Sequence, residues 1–271
     1  MASAREHFEA GRLGEAITAM NGEVKGHPAD ADRRGFLGEL LCLAGNLDRA
    51  DLQFDTIAQQ EPRLAVGVSL IRQLIRGEQA RRQFFVEGRL PELLGPPPEH
   101  LRLHIEASVL LREGAVAKAL ALLTKAEQIR PRLAGQSGEE AFDDFRDLDD
   151  LTAGFFEVLT STGKYYVIPA ERVISIEFRP IERPRDLLWR RAQMVVQDGP
   201  DGEVFLPATY PPPAAEFAAV LDDAARLGRK TEWVGGDDQP VRGVGQRCFL
   251  LGEESFGILQ LERLDFSPVA G

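Results

Sequence analysis

A six-residue pattern with Gly, Leu and Ala in phase occurs twice in this chain. Gly11-Arg12-Leu13-Gly14-Glu15-Ala16 returns as Gly45-Asn46-Leu47-Asp48-Arg49-Ala50, and Gly11/Gly45, Leu13/Leu47, Ala16/Ala50 and Pro28/Pro62 each stand 34 positions apart. In such a unit the glycine ends one helix, the small alanine lets two antiparallel helices approach closely, and the proline marks the turn out of the second. A chain that repeats these three devices in phase is committed to stacked helical hairpins.

The period is that of the tetratricopeptide repeat. In the second copy, Leu37-Gly38 and Leu41 fall on the first helix of the pair (helix A), and Ala50, Phe54 and Pro62 on the second (helix B). The first copy is truncated, with a short helix before Gly11, as expected of the cap of an array. A further copy runs through Leu103, Ala107, Leu110, Gly114, Ala119, Leu123 and Ala126 to Pro131, which lies 12 residues after Ala119, the offset that also separates Ala16 from Pro28 and Ala50 from Pro62. Between these copies, residues 63–89 read as one long helix with a break near Gly77, stopped by Gly95-Pro96-Pro97-Pro98.

From Leu151 the period changes to alternation. Phe155–Leu159 and Tyr165–Ile168, joined by Ser161-Thr162-Gly163-Lys164, read as a hairpin, and Val173–Phe178, Leu187–Gln197 and Glu203–Pro207 as further strands. A helix is expected over 214–227, and short strands over 231–234, 246–251 and 256–264. The expected fold is therefore α+β. A tetratricopeptide-like α-α superhelix over residues 1–135 precedes a mostly antiparallel β domain over 151–271, a small barrel or a bent sheet. Between them, 136–150 carries Glu139, Glu140, Asp143, Asp144, Asp147, Asp149 and Asp150 against the single base Arg146, and reads as an acidic linker or exposed edge.

Composition narrows the function. The net charge of −11 argues against a nucleic-acid backbone as the main partner. Two cysteines far apart, no basic-then-apolar leader, and no apolar run near the roughly 18 residues of a membrane helix lead to the expectation of a cytoplasmic protein with reduced thiols and no membrane insertion. All four histidines (His7, His27, His100, His104) lie in the helical part. His100 and His104 have a metal-ligand spacing but no third ligand in view. There is no P-loop, no nucleophile setting for either cysteine, and Gly243-Val244-Gly245 lacks a following helix. No catalysis, metal or cofactor is expected. One segment does attract attention. Residues 179–191 hold five arginines and Trp189, residue types that anchor interfaces, and the alternative is that Trp189 is core and Asp186 caps a turn.

Several stretches carry a resemblance to a family. They are Lys164-Tyr165-Tyr166-Val167-Ile168-Pro169 with Glu171-Arg172-Val173; Arg185-Asp186-Leu187-Leu188-Trp189-Arg190; Phe205-Leu206-Pro207-Ala208-Thr209-Tyr210-Pro211; Leu227-Gly228-Arg229-Lys230-Thr231-Glu232-Trp233; and Gly243-Val244-Gly245-Gln246-Arg247. Glu78-Gln79-Ala80-Arg81-Arg82 and Leu93-Leu94-Gly95-Pro96-Pro97-Pro98-Glu99 add to them. In these the chain resembles the ImpE family, also called TagJ, accessory proteins of bacterial type VI secretion. It departs at Val167, where a Trp often follows the two tyrosines. The resemblance implies a non-enzymatic adaptor that binds a short helix of the small contractile-sheath subunit and so links to the ClpV disaggregase.

A concave groove of stacked hairpins is lined mainly by helix A. The candidate partner-binding residues are therefore Asp32, Gly35, Glu39 and Cys42, with His100 and Leu103 from the later copy, and Arg185, Trp189 and Arg190 from the arginine-rich stretch. A competing reading makes the β domain an enzyme or small-ligand module, with a polar pocket near Tyr165, Trp189 and Arg247.

Overall fold

The computed structural model describes residues 2–211 and 221–268. The phased glycines end their helices as expected: Gly11, Gly45 and Gly114 adopt φ of 79°, 80° and 73°, a left-handed conformation that costs glycine little. They separate α1 (Ala4–Glu9) from α2 (Leu13–Gly26), α3 (Ala31–Leu43) from α4 (Leu47–Gln60), and α6 (Glu99–Arg112) from α7 (Val116–Ile129). Ala16, Ala50 and Ala119, the alanine of each copy, are fully buried at the crossings. Gly38 serves the same end, since a Cβ there would lie 2.6 Å from the ring of Phe54 on the facing helix.

The long helix α5 (Ala65–Glu87) runs without interruption through Gly77. The expected break is absent, and the glycine has another purpose. A Cβ on Gly77 would meet Leu159 at 3.2 Å, so the bare backbone lets α5 settle onto the β half.

Strands follow from residue 135. An eight-stranded antiparallel sheet has the order β2-β1-β13-β6-β7-β8-β4-β5, where β1 is Gly135–Ser137, β2 Glu140–Phe142, β4 Phe155–Leu159, β5 Tyr165–Pro169, β6 Val173–Phe178, β7 Trp189–Val196, β8 Asp201–Pro207 and β13 Arg263–Phe266. Its first and last strands, β2 and β5, do not pair with each other among the described residues, so the sheet is open and the small barrel is set aside. A three-stranded sheet joins β3 (Phe145–Asp147), β11 (Cys248–Leu251) and β12 (Glu254–Gly257), and a two-stranded one joins β9 (Thr231–Gly236) to β10 (Gln239–Gly245). The expected helix over 214–227 lies partly outside the described residues; α8 (Asp223–Arg226) is its described part.

Residues 136–150 are not a solvated linker. They supply β1, β2 and β3, and four of their carboxylates are held by arginines: Asp144 by Arg130, Asp147 by Arg247, Asp149 by Arg242 and Asp150 by Arg146. Counter-charges from outside the run, Arg130, Arg242 and Arg247, join its own Arg146 in turning a self-repelling run into ordered structure. Glu139, Glu140 and Asp143 stay exposed.

The β4–β5 hairpin is buried on both faces. Phe155, Leu159, Tyr165 and Val167 join the helical core, while Phe156, Val158 and Ile168 join the core of the sheet. The outer edge of β5 is covered by the loop after α5, where Glu92 exchanges backbone hydrogen bonds with Tyr165 and Val167. At the other end of the helical stack, α8 and the residues after it reach two hairpin turns. Arg229 donates to the carbonyls of Phe8 and Glu9, Arg226 to that of Ala44, and the amide of Gly14 donates to Asp223. No helix among the described residues is long and apolar enough to cross a membrane.

Candidate functional site

A groove of about 950 Å³ opens on the inner side of α1, α3, α4 and the start of α5. The hairpin pattern places apolar residues from different helices side by side: Phe36, Ile57, Val68 and Ile71 form its floor. The ring of Phe8 packs edge-on against Phe36, and the guanidinium of Arg5 lies over the same ring at 5.5 Å. The opposite wall comes from the β half, as the segment Ile181–Arg185 with Leu187. Ile181 and Leu64 leave about two-fifths of their surface exposed there. This wall is held by Asp186, whose carboxylate accepts from the amides of Glu182 and Arg183.

Four of the residues expected to contact a partner meet in this groove: Asp32, Gly35 and Glu39 along α3, and Arg185 facing them. Glu39 and Arg185 form an ion pair at 3.1 Å. Burial pushes the Glu39 carboxyl above its ordinary value, and Arg185 and Arg183 only partly oppose this. Among the described residues only Oε1 of Glu39 takes a hydrogen bond, and Oε2 of this groove-lining residue takes none.

The other five expected residues are buried elsewhere. Cys42 sits one turn further along α3, beyond the groove and within the helical core. His100 bonds Glu171 at 2.7 Å beneath the loop that precedes α6, and Leu103 packs inward from the same helix. Trp189 is core, and its indole N–H donates to Glu78. Arg190 is buried over the ring of Phe178. The arginine-rich stretch is thus divided, its turn forming a groove wall and its strand entering the core.

The polar pocket of the competing reading is filled. Tyr165 and Arg247 are both bonded to Glu157, which Arg81 of α5 also grips through two nitrogens at 2.8 and 3.0 Å. Arg247 continues to Asp147, and Tyr210 donates to Asp147 in turn. Burial alone would raise the Glu157 carboxyl, but Arg81 and Arg247 hold it down at about 2. This network joins α5 to the sheet, and its members bond one another, with Nε of Arg247 left without a partner among the described residues.

Sequence reasoning missed Phe8, Phe36, Ile57 and Ile71 as groove residues. The available signal was the apolar spacing within each of their helices, with only Phe36 beside Gly35 on α3, and it reads equally well as core. The opposing wall could not be found in this way, because Glu39 and Arg185 are 146 positions apart.

Comparison with known proteins bears on this geometry. A family profile described as ImpE protein matches residues 139–265. The chain is 33% identical over 265 residues to the type VI secretion system accessory component TagJ of Pseudomonas aeruginosa, covering 98% of this chain and 91% of that relative. Its fold is similar to the crystal structure of a Vibrio parahaemolyticus protein, with a TM-score of 0.89, 26% identity and 97% of each chain covered.

Proposed function

The chain belongs to the ImpE family, and from that membership we propose that it is a non-enzymatic accessory protein of type VI secretion. In this reading residues 1–135 are a tetratricopeptide-like stack, and the strands from 135 onward form the ImpE-type unit that closes its open side. The groove between them receives a short amphipathic helix of the small sheath subunit, and through it the protein links the sheath to the ClpV disaggregase.

One observation carries the reading. An apolar floor drawn from three helices lies open between two charged margins, which is the complement of an amphipathic helix. The margins hold charges of both signs, Arg5 and Arg183 with Glu9 and Asp32, so they give orientation as well as attraction.

The test uses the full-length chain and the purified small sheath subunit of the same bacterium, with affinity read by calorimetry. Gly67 lines the groove, and a Cβ there meets nothing within 4 Å. A side chain can therefore leave the backbone there unhindered, and Gly67→Trp adds bulk to the wall. Binding by the unaltered chain and a loss of at least about tenfold in the variant, roughly 1.4 kcal/mol, is the expected result. Equal affinity in both removes the groove from the function.

A further inference from the structure

Two glycines of α3, three residues apart, stand in opposite situations. At Gly38 the ring of Phe54 would lie 2.6 Å from an added Cβ, so the fold itself demands a bare backbone. At Gly35 the only atom within 4 Å of an added Cβ is Cδ1 of Ile57, at an ordinary contact distance of 3.9 Å. Its φ lies outside the left-handed region. An alanine would fit there and would favour the helix by about 1 kcal/mol. Nothing in the free protein calls for Gly35, yet it lies mid-helix and lines the groove.

One turn further along the same face is Glu39, a buried carboxylate that lines the groove beside its apolar floor. Its single described donor is Arg185, which bonds Oε1, so Oε2 has no described partner at a residue that lines the groove. A buried carboxylate so placed gains most from a cationic donor brought by the occupant.

We infer that the groove selects a helix that brings a small residue against Gly35 and a lysine or arginine, one helical turn away, onto Oε2 of Glu39. This rests on the groove being a helix-binding site and adds what kind of helix it accepts. The missing side chain at Gly35 lets the two helix backbones come close, as small residues do at any tight helix crossing. That closeness brings a cation within reach of Glu39. An amphipathic helix of uniformly large apolar residues is held off by its own bulk, and one with a carboxylate at the second position meets Glu39 with like charge. Arg185 occupies Glu39 in the free protein and is the group the incoming cation competes with.

The experiment titrates the purified small sheath subunit into the full-length chain and measures the melting temperature of each variant. Gly35→Ala is expected to raise the melting temperature by about 2–4 °C while weakening binding about tenfold or more, opposite signs that a merely structural glycine would not give. Glu39→Gln is expected to weaken binding about tenfold and to flatten its salt dependence. Arg185→Met removes the competitor and is expected to bind as tightly as the unaltered chain, or more tightly. Either Gly35→Ala or Glu39→Gln binding at full strength overturns the inference. So does a lower melting temperature for Gly35→Ala, or an equal loss in Glu39→Gln and Arg185→Met, which would reduce Glu39 to a support for the facing turn. Gly67→Trp separates the two levels: full binding in that variant sinks the helix-binding reading itself, whereas its loss beside normal binding in the α3 variants sinks only this inference.

Discussion

His104 is the residue whose chemistry departs furthest from its surroundings. It is buried on α6, edge-on to Phe155 at the start of β4, and neither ring nitrogen has a hydrogen-bond partner among the described residues. Burial, with His100 beside it and Arg146 and Arg130 nearby, pushes its pKa from the usual 6.5 down to about 3; the backbone of Leu151 opposes this weakly. The unfolded chain therefore takes up a proton between pH 6.5 and 3 that the folded chain refuses, and stability falls as the pH drops through that window. From pH 7 to pH 5 the cost attributable to His104 is about 2 kcal/mol. Asp147, pushed up to about 6 by burial beside Asp149, works in the opposite direction below pH 6, so the quantity to compare is the difference between proteins. His104→Leu is expected to lose about 2 kcal/mol less than the unaltered chain between those two pH values in urea denaturation. Equal losses would show that this imidazole is not the group that titrates.

At the scale of elements, the helical hairpins were legible because three residue types carry them at fixed offsets. Glycine alone takes the left-handed turn cheaply, and only a small residue fits the crossing at Ala16, Ala50 and Ala119. Gly38→Ala is expected to lower stability by about 1–3 kcal/mol despite the better helix propensity of alanine, because Phe54 is itself buried and has nowhere to go. A shift of the urea midpoint checks this, and an unchanged midpoint would mean that the two helices separate freely. Gly77 misled for the same reason that Gly38 did not. A glycine in a helical pattern signals a break or a close approach, and only the position of Leu159 decides which. The acidic stretch at 136–150 was illegible because its arginine partners lie as far along the chain as Arg242 and Arg247. Half of the groove could be read, since Asp32, Gly35 and Glu39 follow from helix periodicity. The wall at 181–187 could not, because local pattern carries no information about which loop lies opposite which helix.

In the whole molecule, the joint between helices and strands is a buried set of charges. Arg81 and Glu157 are almost inaccessible to solvent, and removing Arg81 leaves the buried Glu157 with one of its two cations and without two of its hydrogen bonds. Arg81→Met is expected to cost about 3–5 kcal/mol and to split thermal unfolding into two calorimetric transitions, one for each side of the joint. A single transition at an unchanged temperature would show that the joint contributes nothing. The second connection between the two sides has a different consequence. Arrays of helical hairpins ordinarily grow or shrink by whole units at little cost, since each unit touches only its neighbours. Here the segment from Asp223 to Arg229 holds the turns at Gly11 and Gly45 together, two marks one unit apart. Duplicating a 34-residue unit between those marks would carry one of them out of reach, and deleting one would bring the wrong turn to the same arginine. The C-terminal part therefore acts as a gauge for the N-terminal part. It fixes how many hairpins can stand beside it, and a gene duplication that most repeat proteins would absorb is in this one a lesion.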